Sequence, residues 1–223
     1  MSKLFIVPTP VGNLQDFTYR AVRILEEADL VLAEDTRKTG ILLKHYNLSK
    51  KILSHHKFNE HKFLRSLISR IESGESVALV SDAGMPGISD PGYLLIRECI
   101  RNGIEVEALP GPTAFLPALV ASGLPCDRFC FEGFLPVKKG RKKKLEELRD
   151  EKRTMIFYES PFRISKSLEQ FSEVFGADRP ACLARELSKI HEEYLRGSLE
   201  EILEEISERE LKGECIHLVG GKI

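Results

Sequence analysis

Residues 76–109, SVALVSDAGMPGISDPGYLLIRECIRNGIEVEAL, contain one complete unit of a parallel sheet. SVALV is an apolar run of strand length, GYLLIRECIRNG carries apolar residues at helical spacing up to a glycine stop, and IEVEAL alternates as a strand does. A strand, a helix and a second strand in this order call for parallel pairing, because a crossover returns the chain to the same edge in the same direction. Between strand and helix lies SDAGMPGISDPG, with three Gly and two Pro in twelve residues. A simple strand-to-helix turn needs far less.

The pattern extends upstream. LFIV (4–7), LVLA (30–33), KILSHH and SVALV (76–80) are separated by helical stretches at about 18–28, from about Thr39, and over HKFLRSLISRIESG. With IEVEAL (104–109) this makes five strands alternating with helices, the signature of a mostly parallel sheet covered on both faces. Residues 1–112 therefore read as one α/β domain. PGPTAFLPALVASGLP (110–125) stops the last strand and starts an apolar helix, placing a boundary there. Residues 113–223 read as a second α/β domain: FCFEGFL (129–135), a charged helix over 141–151, TMIFYES (154–160), a helix over 162–175, ACLARE (181–186), EYLRGS, a last helix and ECIHLVGG. LARE, EYLRG and IHLVG lie too close together for helical crossovers throughout, so this sheet is expected to be mixed and to contain a hairpin.

The 223 residues are 42% hydrophobic and 30% charged, an ordinary globular composition. No run approaches the ~18 apolar residues of a membrane span, and MSKLFIVPTP turns polar too early for a secretory signal, which points to the cytoplasm and to no membrane partner. Cys99, Cys126, Cys130, Cys182 and Cys215 are odd in number, spread out and without a C-x-x-C pair, as expected of reduced thiols. His55, His56 and His61 lack a nearby Cys or acidic ligand at zinc spacing, so no metal is expected. The net charge of −1 excludes a globally basic nucleic-acid binder, yet Lys138, Lys139, Arg141, Lys142, Lys143 and Lys144 place six basic residues within seven.

In open α/β sheets ligands sit beyond the carboxyl ends of the strands. PTPVGN, AEDTRKTG, SDAGMPGISDPG and PGPTA all fall there and are expected to line one crevice. None is a G-x-G-x-x-G or a G-x-x-x-x-G-K-[ST], and Pro8 and Pro10 have no N–H to offer a phosphate. Asp90-Pro91-Gly92 fits an N-cap followed by proline at the first helical position. Asp82 has no helix to cap at once and reads as a binding residue, with Gly84 and Gly87 allowing close approach to backbone. Glu34 and Asp35 have the chemistry of an acid–base pair, but neighbours on a strand point opposite ways; Asp35 or Thr36 also suits a helix start.

TPVGNLQDFTYRA, LAEDTRKTGILL, SDAGMPGISDPG, LPGPTA, FEGFLP, FYESPFR and ARELSKIHEE, in this order from residue 9 to 193, resemble the ribosomal RNA small subunit methyltransferase I family, within the tetrapyrrole (corrin and porphyrin) methylases. The resemblance implies two α/β domains unlike the Rossmann-like methyltransferases, and S-adenosylmethionine held in the cleft between them. It implies a homodimer that methylates the 2′-hydroxyl of a cytidine in the decoding region of 16S ribosomal RNA. Carried over by motif, Pro10, Asp82, Gly84, Met85, Ile88, Thr113 and Ala114 would hold the cofactor, with Tyr158, Ala184 and the neighbourhood of Leu218 from the second domain. Members of the family commonly continue past the VGG with a small helical segment, whereas this sequence ends at Ile223.

A ribose hydroxyl becomes a nucleophile when a base takes its proton or a cation stabilises the forming alkoxide. Glu34, Asp35, Arg37, Glu159, Arg185, Glu186 and Lys189 lie in motif loops, and Asp35, Arg37 and Arg185 are favoured as the polar wall of the substrate side. A structural ion pair between Glu159 and Arg185 across the sheet is the competing reading of those two. Lys142–Lys144 near a helix start oppose its dipole, a mild penalty that suggests phosphate binding by the whole run 138–144. The alternatives are a methylase of tetrapyrrole precursors and an RNA- or ribosome-binding protein without turnover.

Overall fold

The computed structural model describes residues 3–222. The chain forms two compact units, the first running through Thr113 and the second starting at Ala114. Thr113, expected with the second domain, falls in the first. A Cβ built on Gly111 would lie 3.0 Å from the Pro8 ring, and one built on Gly84 would lie 3.9 Å from Thr113 Cα, so this turn packs on the first sheet.

In the first unit β1 (Lys3–Val7), β2 (Leu30–Ala33), β3 (Ile52–Ser54), β4 (Val77–Val80) and β5 (Glu105–Ala108) form one sheet in the order β3-β2-β4-β1-β5. Every pairing in it is parallel. Strand alternation sends Phe5 and Val7 to one face, under α1 (Tyr19–Glu27) and α2 (Thr36–His45). Leu4 and Ile6 go to the other, under α3 (Glu60–Glu72) and α4 (Tyr93–Arg101). Burial on both faces is why LFIV, LVLA and VALV are uniformly apolar. β5 lies at an edge, and its Glu105 and Glu107 take Lys3 at 3.2 and 2.6 Å, a charged border that discourages further strand pairing.

Two helix starts differ from expectation. α2 begins at Thr36, not near Thr39, because the Asp35 carboxylate accepts the Arg37 N–H at 2.9 Å and caps the helix. The N-cap of α4 is Gly92, not Asp90. Gly92 has φ +137°, and a Cβ there would meet Leu79 Cδ2 at 2.8 Å, so a residue without a side chain must make this turn.

The second unit holds β6 (Phe129–Phe134), β7 (Thr154–Glu159), β8 (Pro180–Arg185), β9 (Glu193–Ser198) and β10 (Cys215–Val219) in the order β6-β7-β10-β8-β9. β6 and β7 run parallel, and all other neighbours are antiparallel. The sheet is therefore mixed, with β8 and β9 as the hairpin. One face packs on α6 (Arg141–Glu147), α7 (Ile164–Phe175) and α8 (Leu199–Ile206) around Phe157, Phe171 and Leu183. The other meets α5 (Phe115–Ala121) through Ile156, Cys182, Ala184 and Leu218. α6 ends before the expected residue 151 because the Glu151 carboxylate takes the Arg153 N–H and guanidinium at 2.9 and 2.8 Å, folding a turn into β7.

Arg141 departs most from expectation. It is 7% exposed and is the buried member of the basic run. Its guanidinium donates to Glu159 Oε2 at 3.2 Å, Ser167 Oγ at 2.7 Å and Gln170 Oε1 at 2.7 Å. Glu159 in turn takes Arg163 at 2.7 Å and the Ser160 N–H at 2.8 Å. Arg141 is thus committed to the protein interior and not to RNA phosphates, since moving it out would take from the buried Glu159 one of its two guanidinium partners. Glu159 does not pair with Arg185 either: both strands flank β10, and Arg185 pairs with Glu193 at 3.1 Å instead. Replacement Arg141→Ala is expected to lower the unfolding free energy by on the order of 3 kcal/mol in urea titrations. A loss below about 1 kcal/mol, as for a surface pair, would contradict the buried role.

Candidate functional site

The first unit places its loops by topology. The chain leaves β1 towards the α1 face and β4 towards the α4 face, and β1 and β4 are neighbours. Connections that diverge from adjacent parallel strands open a crevice at their carboxyl ends. Here Thr9 and Gly84 form a two-bond antiparallel bridge, each N–H donating to the other's carbonyl at 2.9 Å. The buried Thr9 hydroxyl donates to Ser81 O at 3.1 Å, and the Ser81 hydroxyl to Gly84 O at 2.9 Å. Gly84 has φ +83°, and a Cβ on it would stand 3.4 Å from Val11 Cγ1 and 3.7 Å from Pro112 O. The loops after β1, β4 and β5 thus close on one glycine.

Around this bridge the expected cofactor residues take distinct places. Pro10 is half-buried, Met85 packs on the core under α3 and α4, and Ile88 is exposed. The Thr113 hydroxyl lies 3.5 Å from Gly111 O, and Ala114 is the N-cap of α5 in the second unit. Asp82 is committed to protein: its carboxylate accepts the Asp35 N–H at 3.0 Å and Lys38 Nζ at 2.8 Å, tying the loop after β2 to the loop after β4.

The carboxylates differ sharply in basicity. Hydrogen bonds from the Arg37 side chain and N–H hold Asp35 well below the usual carboxylate range. Burial, then the Asp82 charge, raises Glu34. Burial, then the charges of Glu34 and Asp82, pushes Asp90 up to about 7. Asp90, expected as a helix cap, instead stands with Glu34 and Asp82 in a group of carboxylates at the strand ends. An acid poised near neutrality is suited to proton transfer, and Asp35 is not.

In the second unit Tyr158, Ala184 and Leu218 come together on the α5 face of the sheet, since Ile216 pairs with both Tyr158 and Ala184. Ala184 and Leu218 are fully buried there, and the half-buried Ala114, Phe115, Phe131 and Tyr194 pack against the same cluster. Arg185 also donates to Lys212 O at 2.9 Å, and Lys189 is held by Glu186 and Glu214 at 2.8 and 3.0 Å. Of the basic run, Lys138, Lys139, Lys142 and Lys143 are exposed, while Lys144 pairs with Glu132 at 2.6 Å.

The chain belongs to the tetrapyrrole (corrin/porphyrin) methylase family, whose profile matches residues 3–203. Within it the chain is similar to proteins named ribosomal RNA small subunit methyltransferase I. That of Thermotoga maritima is 46% identical over 222 residues, covering 100% of each chain. That of Escherichia coli O157:H7 is 48% identical over 222 residues, covering 98% of this chain and 78% of the relative. In fold it resembles uroporphyrin-III C-methyltransferase from Thermus thermophilus, at TM-score 0.69 and 22% identity over 99% of this chain and 94% of that one.

Asp90 sets a pH dependence. Its folded pKa is raised from 3.8 to about 7, so between these values the folded state holds a proton that the unfolded state releases, and stability falls as pH rises. Asp90→Asn removes this loss. Thermal unfolding is expected to show the variant gaining over the parent at pH 8, with the gap narrowing as pH falls from 7 towards 4. A gap constant across that range would contradict the assignment.

Proposed function

We propose that this protein transfers the methyl group of S-adenosyl-L-methionine to the 2′-hydroxyl of a cytidine in the decoding region of 16S ribosomal RNA. The observation that carries this reading is end-to-end similarity, at 46% identity, to a protein named as a methyltransferase of small-subunit ribosomal RNA. The residues present fit the cofactor. Gly84 draws the segments after β1, β4 and β5 together at the strand ends, and the half-buried rings of Phe131 and Tyr158, over the buried Ala184 and Leu218, give the second sheet an apolar, aromatic face of the kind an adenosine requires. The cofactor supplies an electrophilic methyl group on a sulfonium.

In this reading Pro10, Gly84, Met85, Ile88 and Thr113 hold the cofactor from the first unit, with Asp82 fixing their loop through Asp35 and Lys38. From the second unit the half-buried Ala114 and Tyr158 hold it, whereas Ala184 and Leu218, expected to touch it, are 0% exposed and support Tyr158 from within the core. Methyl transfer is an in-line displacement, so the chain's main task is to orient a hydroxyl and exclude water. Arg37, aligned by its two bonds to Asp35, and Arg185, aligned by Glu193, are the cations that steady the developing alkoxide. Asp90 has the basicity to take the proton, whereas Asp35 serves to position Arg37. Lys138, Lys139, Lys142 and Lys143 take phosphates, a contact that positions RNA without choosing its sequence.

The reading includes a homodimer working in the cytoplasm. Exposed Leu116 and Val120 on α5 suit a second copy, and among the described residues no helix is long and apolar enough to cross a membrane.

Incubation with methyl-labelled S-adenosylmethionine and small ribosomal subunits from cells lacking this methylation is expected to place label in 2′-O-methylcytidine. Label in another nucleoside would overturn the position. Absence of label with cofactor binding intact would overturn the substrate and favour a tetrapyrrole precursor or binding without turnover.

A further inference from the structure

The basic run stands beside exposed apolar side chains that its phosphate-binding role does not use. Phe134 is 58% exposed, Val137 62% and Phe162 92%. β6 and β7 are parallel, so Phe134 and the Pro161–Arg163 turn that carries Phe162 follow the same end of neighbouring strands. Single exposed apolar residues are common and need no explanation. These differ in how firmly their backbone is held and in what surrounds them.

The buried Glu159 and Arg141 gather both loops. Glu159 takes the Ser160 N–H and Arg163, the residues on either side of Pro161-Phe162, and the Arg163 N–H closes the turn on Ser160 O at 2.9 Å. Arg141 reaches Pro136 O at 3.5 Å in the loop that follows Phe134, and lies between Lys139 and Lys142 in sequence. Burial pushes Glu159 up, but the Ser160 N–H, the Ser167 hydroxyl and Arg163 hold it below its ordinary value, so the hub stays charged and the network stays closed. The Phe134 ring meets Tyr158 at 5.4 Å and 60° on the α5 face of the sheet, so it belongs with that face and not with the Glu159 network. A phenyl group is thus presented to solvent on a turn held by Glu159, and the lysine-bearing segment is tied through Arg141 to the same carboxylate.

Such a surface matches a ligand with flat apolar faces joined by phosphates. Single-stranded nucleic acid has both, whereas a duplex hides its base faces in the stack. We propose that Phe162 stacks on an unpaired base of the RNA substrate while Lys138, Lys139 and Lys142 take the flanking phosphates. This rests on the RNA-methylating reading above and adds that the RNA held here is unpaired. Arg141 and Glu159 are positioning residues for this surface.

The chain contains no tryptophan, so Phe162→Trp introduces a sole indole. Titrations would use a short single-stranded RNA, a duplex of that sequence, an abasic strand of equal charge, and anionic phospholipid vesicles. The expected result is quenching by the single strand and none by the abasic strand or duplex. Phe162→Ala is expected to bind the single strand roughly 5- to 100-fold more weakly, with unchanged affinity for the abasic strand. Equal quenching by the abasic strand, or unchanged affinity in Phe162→Ala, would overturn the stacking role. Quenching by vesicles alone would give the surface to a membrane. Conversion of a dimer to a monomer by Phe162→Ala, with RNA affinity kept, would give it to a second copy. If Phe162→Ala binds and methylates ribosomal RNA normally, only the stacking falls; if the parent protein neither binds RNA nor transfers methyl to it, the functional reading falls as well.

Discussion

Two backbone hydrogen bonds between Thr9 and Gly84 hold the first unit's strand ends together. They join the loops after β1 and β4, which topology sends to opposite faces of the sheet. The bridge joins the Asp82 bonds and the packing of Met85 in fixing the loop after β4, with its left-handed Gly84, Gly87, Ser89 and Gly92. With it, the loop's interior hydroxyls and carbonyls are satisfied locally, and Asp82 is free to reach across to the loop after β2. Position 84 favours glycine through its φ of +83°, a conformation that L side chains rarely adopt.

The two units use charge differently. In the first, carboxylates crowd at the strand ends, and their basicity is spread by environment: Arg37 depresses Asp35 while burial lifts Asp90. In the second, charge is buried for rigidity. Glu159 and Arg141 join α6, α7 and the end of β7, so the exposed lysines of the same run sit on a fixed base. A solvated pair in that place would contribute little order, because exposed ion pairs are weak and screened.

Much of the fold was legible because both sheets are built from strands whose burial shows in the sequence. LFIV, LVLA and VALV lie within a few residues of their expected bounds, and the close spacing of LARE, EYLRG and IHLVG gives the β8–β9 hairpin and the mixed sheet. Side-chain partners were less legible. Arg141 stands in a run that looks uniformly solvated, yet with Leu145 and Leu148 it occupies the i, i+4, i+7 positions of the buried face of α6. The Asp90 reading failed because capping chemistry in Asp-Pro-Gly outweighed tertiary context, and the crowding of Asp90 with Glu34 and Asp82 links residues far apart in sequence. Adjacent Glu34 and Asp35 drew attention as a pair, but Asp35 is a helix cap.

The account depends on the glycine-closed loops of the first unit being a cofactor surface. The most direct test is calorimetric titration of S-adenosylhomocysteine into the protein and into Gly84→Val, with circular dichroism and urea unfolding run alongside. The account predicts one-site binding by the parent and binding at least about tenfold weaker in the folded variant, equivalent to about 1.4 kcal/mol. Equal affinity in a folded Gly84→Val protein would contradict it and move the cofactor surface elsewhere.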